Sequence, residues 1–187
     1  ICIKSKQLQI DSIRLQSNLD EDLWSVIEGK AQLLSHLGEI TLKDEDINKA
    51  IDAFQDALVE LDKSRLYYIS SQTNSEGRIN INKWYERKKE SLYYNIADQY
   101  YIMKDYNNAI ENYKSALFYV AKDNYQRKTS LYEELLLQYF MIDNVEEAKI
   151  IYSKVPENLD KLLGEQLVYS TSIDTLKIGS ILIPMFN

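Results

Sequence analysis

His36 is the sole histidine of the chain and Cys2 the sole cysteine. The nitrogen and sulfur donors that usually hold a transition metal are therefore missing. A catalytic dyad built on His36 would need a nucleophile brought in from elsewhere, and His36 reads as an ordinary helix residue. The five glycines stand apart at positions 29, 38, 77, 164 and 179, so no glycine-rich loop is available to cradle a phosphate. Asp44-Glu45-Asp46 resembles the start of a calcium loop but lacks the glycine and the closing glutamate such a loop requires. Three acids there would favour the positive end of a following helix. Arg87-Lys88-Lys89 is the densest basic cluster, but Glu86 and Glu90 flank it and the chain carries a net charge of −7. Neutralising a phosphate backbone needs a clustered basic surface, so the cluster reads as a solvated helix face. No catalytic residue set, metal site or cofactor site is expected, and the chain reads as non-enzymatic.

The elements that carry these residues follow from composition. Hydrophobic residues at 45% and charged residues at 27% fit a soluble globular chain. Five glycines and two prolines in 187 residues leave few turns, which favours long helices over a β architecture. Both prolines, Pro156 and Pro184, stand late in the chain. The expected fold class is all-α. No apolar run approaches the ~18 residues needed to cross a bilayer, and the expectation is a cytoplasmic setting. The chain opens Ile-Cys-Ile without an initiator methionine, which suggests a processed or shortened chain. In Asn95 to Leu117, apolar residues recur at helical spacing on both sides of Lys104-Asp105. That is the pattern of two amphipathic helices joined by a tight turn.

The pattern repeats. Tyr93, Ile96-Ala97, Tyr100, Ala109, Tyr113 and Ala116 form one unit. Leu34, Leu37-Gly38, Ala50, Phe54 and Ala57 form a second. Tyr132, Leu135-Leu136, Tyr139, Ala148, Tyr152 and Val155 form a third, more divergent one. With these offsets of large and small residues the chain resembles the tetratricopeptide-repeat family, in a long-helix variety. The resemblance implies a right-handed superhelical stack of antiparallel helix hairpins, a TPR-like α-solenoid. Small residues let two helices approach closely while Tyr, Phe and Leu fill the gaps between hairpins. The expected organisation is an N-terminal helix in 1–19, three hairpins in 20–156 (about 20–72, 81–122 and 124–156), and a capping helix with a tail or linker in 157–187. Asp20 is a candidate N-cap, residues 70–77 read as a loop, and a helix is expected to start near Asn82. From Tyr169 onward β-branched residues favour extended structure.

Fifteen tyrosines against four phenylalanines could suggest stacking platforms for single-stranded nucleic acid. Tyr93, Tyr100, Tyr113, Tyr132, Tyr139 and Tyr152 instead fall on packing positions, and the acidic charge argues against direct nucleic-acid binding. Tyr94, Tyr101 and Tyr106 lie off those positions and are better placed for ligand contact. The resemblance further implies a concave groove lined by the first helix of each hairpin. Its candidate peptide-binding residues are Glu39, then Tyr94, Asn95, Asp98 and Tyr101, then Glu133, Glu134 and Leu137. Asn95 matches an asparagine that such proteins use to hold a peptide backbone. The acids would repel the C-terminal carboxylate gripped by co-chaperone relatives. The expected partner is a basic peptide or protein segment with a hydrophobic anchor, with self-association as a further contact. A second reading is the sensor or regulatory part of a larger signalling or transcription regulator whose effector domain is absent.

Overall fold

The computed structural model describes residues 2–15, 23–41, 43–71, 74–155, 175–178 and 181–184. Among them are seven helices: α1 (Cys2–Leu15), α2 (Leu23–Thr41), α3 (Asp44–Ser71), α4 (Ser75–Ile102), α5 (Tyr106–Tyr119), α6 (Tyr125–Met141) and α7 (Val145–Tyr152). Strands β1 (Thr175–Ile178) and β2 (Ile181–Pro184) follow. Two compact units divide the chain, residues 1–120 and 121–187.

In the first unit α1 packs on α2, α2 on α3, α3 on α4 and α4 on α5. The reason is legible in α3, where Ile47, Ile51, Phe54, Leu58 and Leu61 recur at helical spacing and are all buried. They meet Ile27 and Leu34 of α2 on one side and Leu92 and Ile96 of α4 on the other. Close approach comes from small residues: Ala31, Ala50, Ala57, Ala97, Ala109 and Ala116 are wholly buried. At Gly38 a Cβ would stand 2.8 Å from Ile47 Cγ1 and 3.3 Å from Ile47 N. The α2–α3 hairpin is thus packed backbone to backbone at that point.

Turns and caps set the helix ends. Asn74, Asp105, Asn124 and Asn144 each precede a helix, and each side chain accepts a hydrogen bond from the N–H three residues on, at 2.7, 3.2, 3.2 and 3.2 Å. The Asn74 cap explains why α4 starts at Ser75 rather than near Asn82, and why residues expected in a loop belong largely to helices. After α4, Lys104 takes a positive φ of 61°, and after α6 Asp143 takes 56°. Asp105 N donates to Tyr100 O and Lys104 N to Tyr101 O; Asn144 N donates to Tyr139 O and Asp143 N to Phe140 O. Both turns therefore close their helix with the same paired bonds around a left-handed residue.

In the second unit α6 packs on α7, with Leu131, Leu135, Leu136, Tyr139, Ala148 and Ile151 buried. At the C-terminal end, where the β-branched residues from Tyr169 onward favour extended structure, β1 and β2 pair antiparallel with Ile178 opposite Ile181 and Thr175 opposite Pro184. A Thr-Leu-Lys-Ile and Ile-Leu-Ile run, two residues apart, suits a hairpin better than a helix. The expected Asp20 cap and the capping helix after Pro156 lie outside the described residues.

Candidate functional site

The first helices of two hairpins, α2 and α4, are joined by side chains 64 residues apart in sequence. Gln99 on α4 is buried and its Nε2 donates to Ser35 Oγ on α2 at 2.8 Å. Ser35 Oγ in turn lies 3.3 Å from Glu39 Oε1. His36 Nδ1 is 3.4 Å from the other oxygen of Glu39, with both side chains exposed. Asn95 stands one turn before Gln99, so it shares the face that meets α2. Glu39 stands one turn after Ser35, on open surface. Two helices, one bridged hydrogen-bond chain and an exposed carboxylate make a strip that can offer charge and amide hydrogen bonds.

The other expected residues are more constrained. Asp98 is half-buried and accepts a 2.6 Å hydrogen bond from the hydroxyl of Tyr113, itself buried. Tyr94 sets its ring edge-on to Tyr113 at 5.6 Å, and Tyr101 tilts against Tyr106 at 6.4 Å while remaining exposed. Glu39, Tyr94, Asn95, Asp98 and Tyr101 therefore belong to the first unit. Glu133, Glu134 and Leu137 lie half-buried on α6, in the second. Burial pushes the Glu133 carboxyl above its ordinary value. It also raises that of Glu28 on α2, an effect that the nearby Lys88 charge partly offsets.

Lys89 is the group that composition misled. Far from a solvated face, its ammonium is buried and sits 2.9 Å from the Asp62 carboxylate on α3. Tyr85 donates to the same carboxylate at 2.5 Å. The rings of Tyr85, Tyr93 and Tyr119 stand 5.5, 5.8 and 6.0 Å from the Lys89 nitrogen. Burial alone would lower the Lys89 pKa, but the Asp62 hydrogen bond and charge outweigh it and hold it above normal. Burial, and then the bond to Asp62, push Tyr85 up to about 12. Both groups keep their protons at neutral pH. The cluster bolts α3 to α4. The signal was available: Lys89, Leu92, Ile96 and Gln99 share the i, i+3, i+7, i+10 spacing of the buried face.

Other sequence readings shift too. Tyr113 and Tyr139 are buried packing residues as spaced, whereas Tyr152 is exposed at the end of α7. Gln138 occupies on α6 the place of Gln99 on α4 and is wholly buried, and among the described residues neither end of its amide has a partner. A hollow of about 430 Å³ opens between α1, α2 and α3 beside Lys4, Lys30 and Asp52. Another of about 300 Å³ lies beside Tyr93, Phe118 and Tyr119. Neither includes any of the expected groove residues. Among the described residues no group of three His, Cys, Asp or Glu side chains could hold a metal, and no helix is long and apolar enough to cross a membrane. No protein-family model matches the chain, and neither a curated protein nor a solved structure is significantly similar to it.

Proposed function

We propose that the chain is a helical-repeat scaffold of the tetratricopeptide kind that binds a basic peptide or protein segment across the first helices of its hairpins. The repeat reading is supported by recurrence at one offset. Lys104 and Asp143 carry the same left-handed turn 39 residues apart. Gln99 and Gln138, and Ala109 and Ala148, are buried at the same offset. The observation that carries the binding reading is the Gln99–Ser35–Glu39 chain, which sets α2 beside α4 and holds Glu39 at their surface. Asn95 supplies a donor and an acceptor to a peptide backbone. Tyr101 supplies exposed aromatic area for a hydrophobic anchor. Asp98 spends a hydrogen bond on Tyr113, so its role is its charge, and charge here mainly steers and selects.

The test is fluorescence anisotropy with a short synthetic peptide of lysines around one phenylalanine, against its glutamate counterpart. The lysine peptide binds and weakens with salt, and the glutamate peptide does not bind. Glu39→Lys and Asn95→Ala each weaken the lysine peptide by roughly tenfold, about 1.4 kcal/mol. Equal binding of both peptides, or indifference to both substitutions, would remove this reading.

A further inference from the structure

The kind of ligand that the acidic strip selects is already present on this chain. α3 and α4 have 28 residues each, against 19 in α2 and 14 in α5. Gly38 lies against Ile47, so counting back along the hairpin brings Leu23, the start of α2, level with about Asp62. The ends of α3 and α4 beyond the Asp62–Lys89 pair therefore overhang α2 as a two-helix arm. Arg65 fixes it by donating to Asn82 Oδ1 at 3.0 and 3.2 Å while its guanidinium stacks 4.6 Å above Tyr85. Tyr68 and Trp84 meet edge-on at 5.9 Å further out.

Charge is segregated along this arm. Residues 63–87 hold Lys63, Arg65, Arg78, Lys83 and Arg87 against Glu76 and Glu86, a net of +3, so the rest of the chain carries −10 of the total −7. Ile79, Lys83 and Arg87 recur every four residues along one face of α4 and are all exposed, Ile79 by 53%. A hydrophobic anchor followed by two cations is the chemistry that Glu39, Asp98 and Tyr101 would take.

We infer that the chain forms a two-fold dimer in which the basic arm of each copy lies in the acidic strip of the other. This inference rests on the reading of that strip proposed above. A copy does not fill its own strip, because Lys83 and Asp98 stand 15 residues apart on one continuous helix, α4, a separation of about 22 Å. A second copy running antiparallel meets both halves at once. Arm and strip share α4, so the exchange is mutual and closes at two rather than growing into a filament. A partner segment entering the strip then competes with the dimer, and the apparent affinity for that segment falls as chain concentration rises.

The test is sedimentation velocity of the full chain at about 50 mM and about 500 mM salt, conditions that differ several-fold in screening length. The wild type sediments as a dimer at low salt and shifts toward monomer at high salt. Lys83→Glu with Arg87→Glu gives a monomer at both. Glu39→Lys with Asp98→Lys also gives a monomer, and mixing the two variants restores a dimer, because each reversed arm then faces a reversed strip. Should Asp98→Lys unfold for loss of the Tyr113 bond, Glu39→Lys with Asn95→Lys replaces it. A wild type that stays monomeric at low salt, a dimer indifferent to the arm reversal, or no recovery on mixing overturns the inference. Binding of the lysine peptide to the arm-reversed monomer is read separately. If it persists while the wild type stays monomeric at low salt, the dimer fails and the binding strip stands; if it is absent, the strip itself fails.

Discussion

Replacing Gly38 with alanine sets two effects of known size against each other. Alanine gains about 1 kcal/mol over glycine in a helix interior. At Gly38 the new Cβ would stand 2.8 Å from Ile47 Cγ1, with Ile47 N and Cα at 3.3 and 3.4 Å. Ile47 is buried and branched at Cβ, so relief requires α2 and α3 to separate rather than a side chain to swing. Overpacking of this kind costs about 1–3 kcal/mol or more, and the net is a loss of up to roughly 2 kcal/mol. Gly29 is the internal control. A Cβ there meets only Lys6 Cε and Nζ at 3.6 and 3.7 Å, an ordinary contact with a flexible chain end, so Gly29→Ala keeps most of the propensity gain. The two variants should differ by about 2 kcal/mol, roughly 4–8 °C in Tm for a chain of this size, read by thermal melts at 222 nm. If Gly38→Ala melts as high as Gly29→Ala, the backbone approach of α2 and α3 is wrong.

Asp62→Ala leaves the buried Lys89 ammonium without its carboxylate and should cost about 1–3 kcal/mol, below the range for a fully buried pair because Asp62 is half exposed. Lys89→Met, which removes the charge and keeps the bulk, should cost less, and a urea midpoint series ranks the two. The contribution of Lys89 should persist to about pH 10 and fade above it. Its folded pKa is raised, so the stability it adds is full below the unfolded value and lost as pH rises through the folded one. Glu133→Gln should raise stability at pH 7 and converge with the parent below about pH 4, since burial disfavours the ionised carboxylate only when it is ionised. Melts at both pH values check this, and a variant less stable at pH 7 contradicts it. Gln138→Leu should stabilise by about 1 kcal/mol or more by removing a buried amide that has no partner among the described residues; a lower urea midpoint would mean that the amide is satisfied.

Packing was more legible in the sequence than polar placement. Gly38, Ala50, Ala97 and Ala109 announce close approach by size alone, and all four are buried. Apolar spacing likewise marks the α3 stripe from Ile47 to Leu61. Polar residues on the same spacing were hidden by their type. Lys89 and Gln99 continue the stripe of Leu92 and Ile96, yet a lysine beside Arg87 and Lys88 reads as surface until Asp62 and three tyrosine rings are found around it. The start of α4 was missed because Asn74 looks like a loop residue as readily as a cap. Of the eight groove residues, helix position could be inferred but not engagement: nothing in the string marks Asp98 as the acceptor for Tyr113. The Gln99–Ser35 contact depends on how two helices 64 residues apart lie together, which no local pattern records.

The proposed strip across α2 and α4 is tested most directly by amide chemical-shift mapping of the labelled chain during titration with the lysine peptide. The account predicts shifts centred on Ser35, Glu39, Asn95, Gln99 and Tyr101, saturating together and reversed by salt. Shifts centred instead on Lys4, Lys30 and Asp52, at the hollow between α1, α2 and α3, would contradict it.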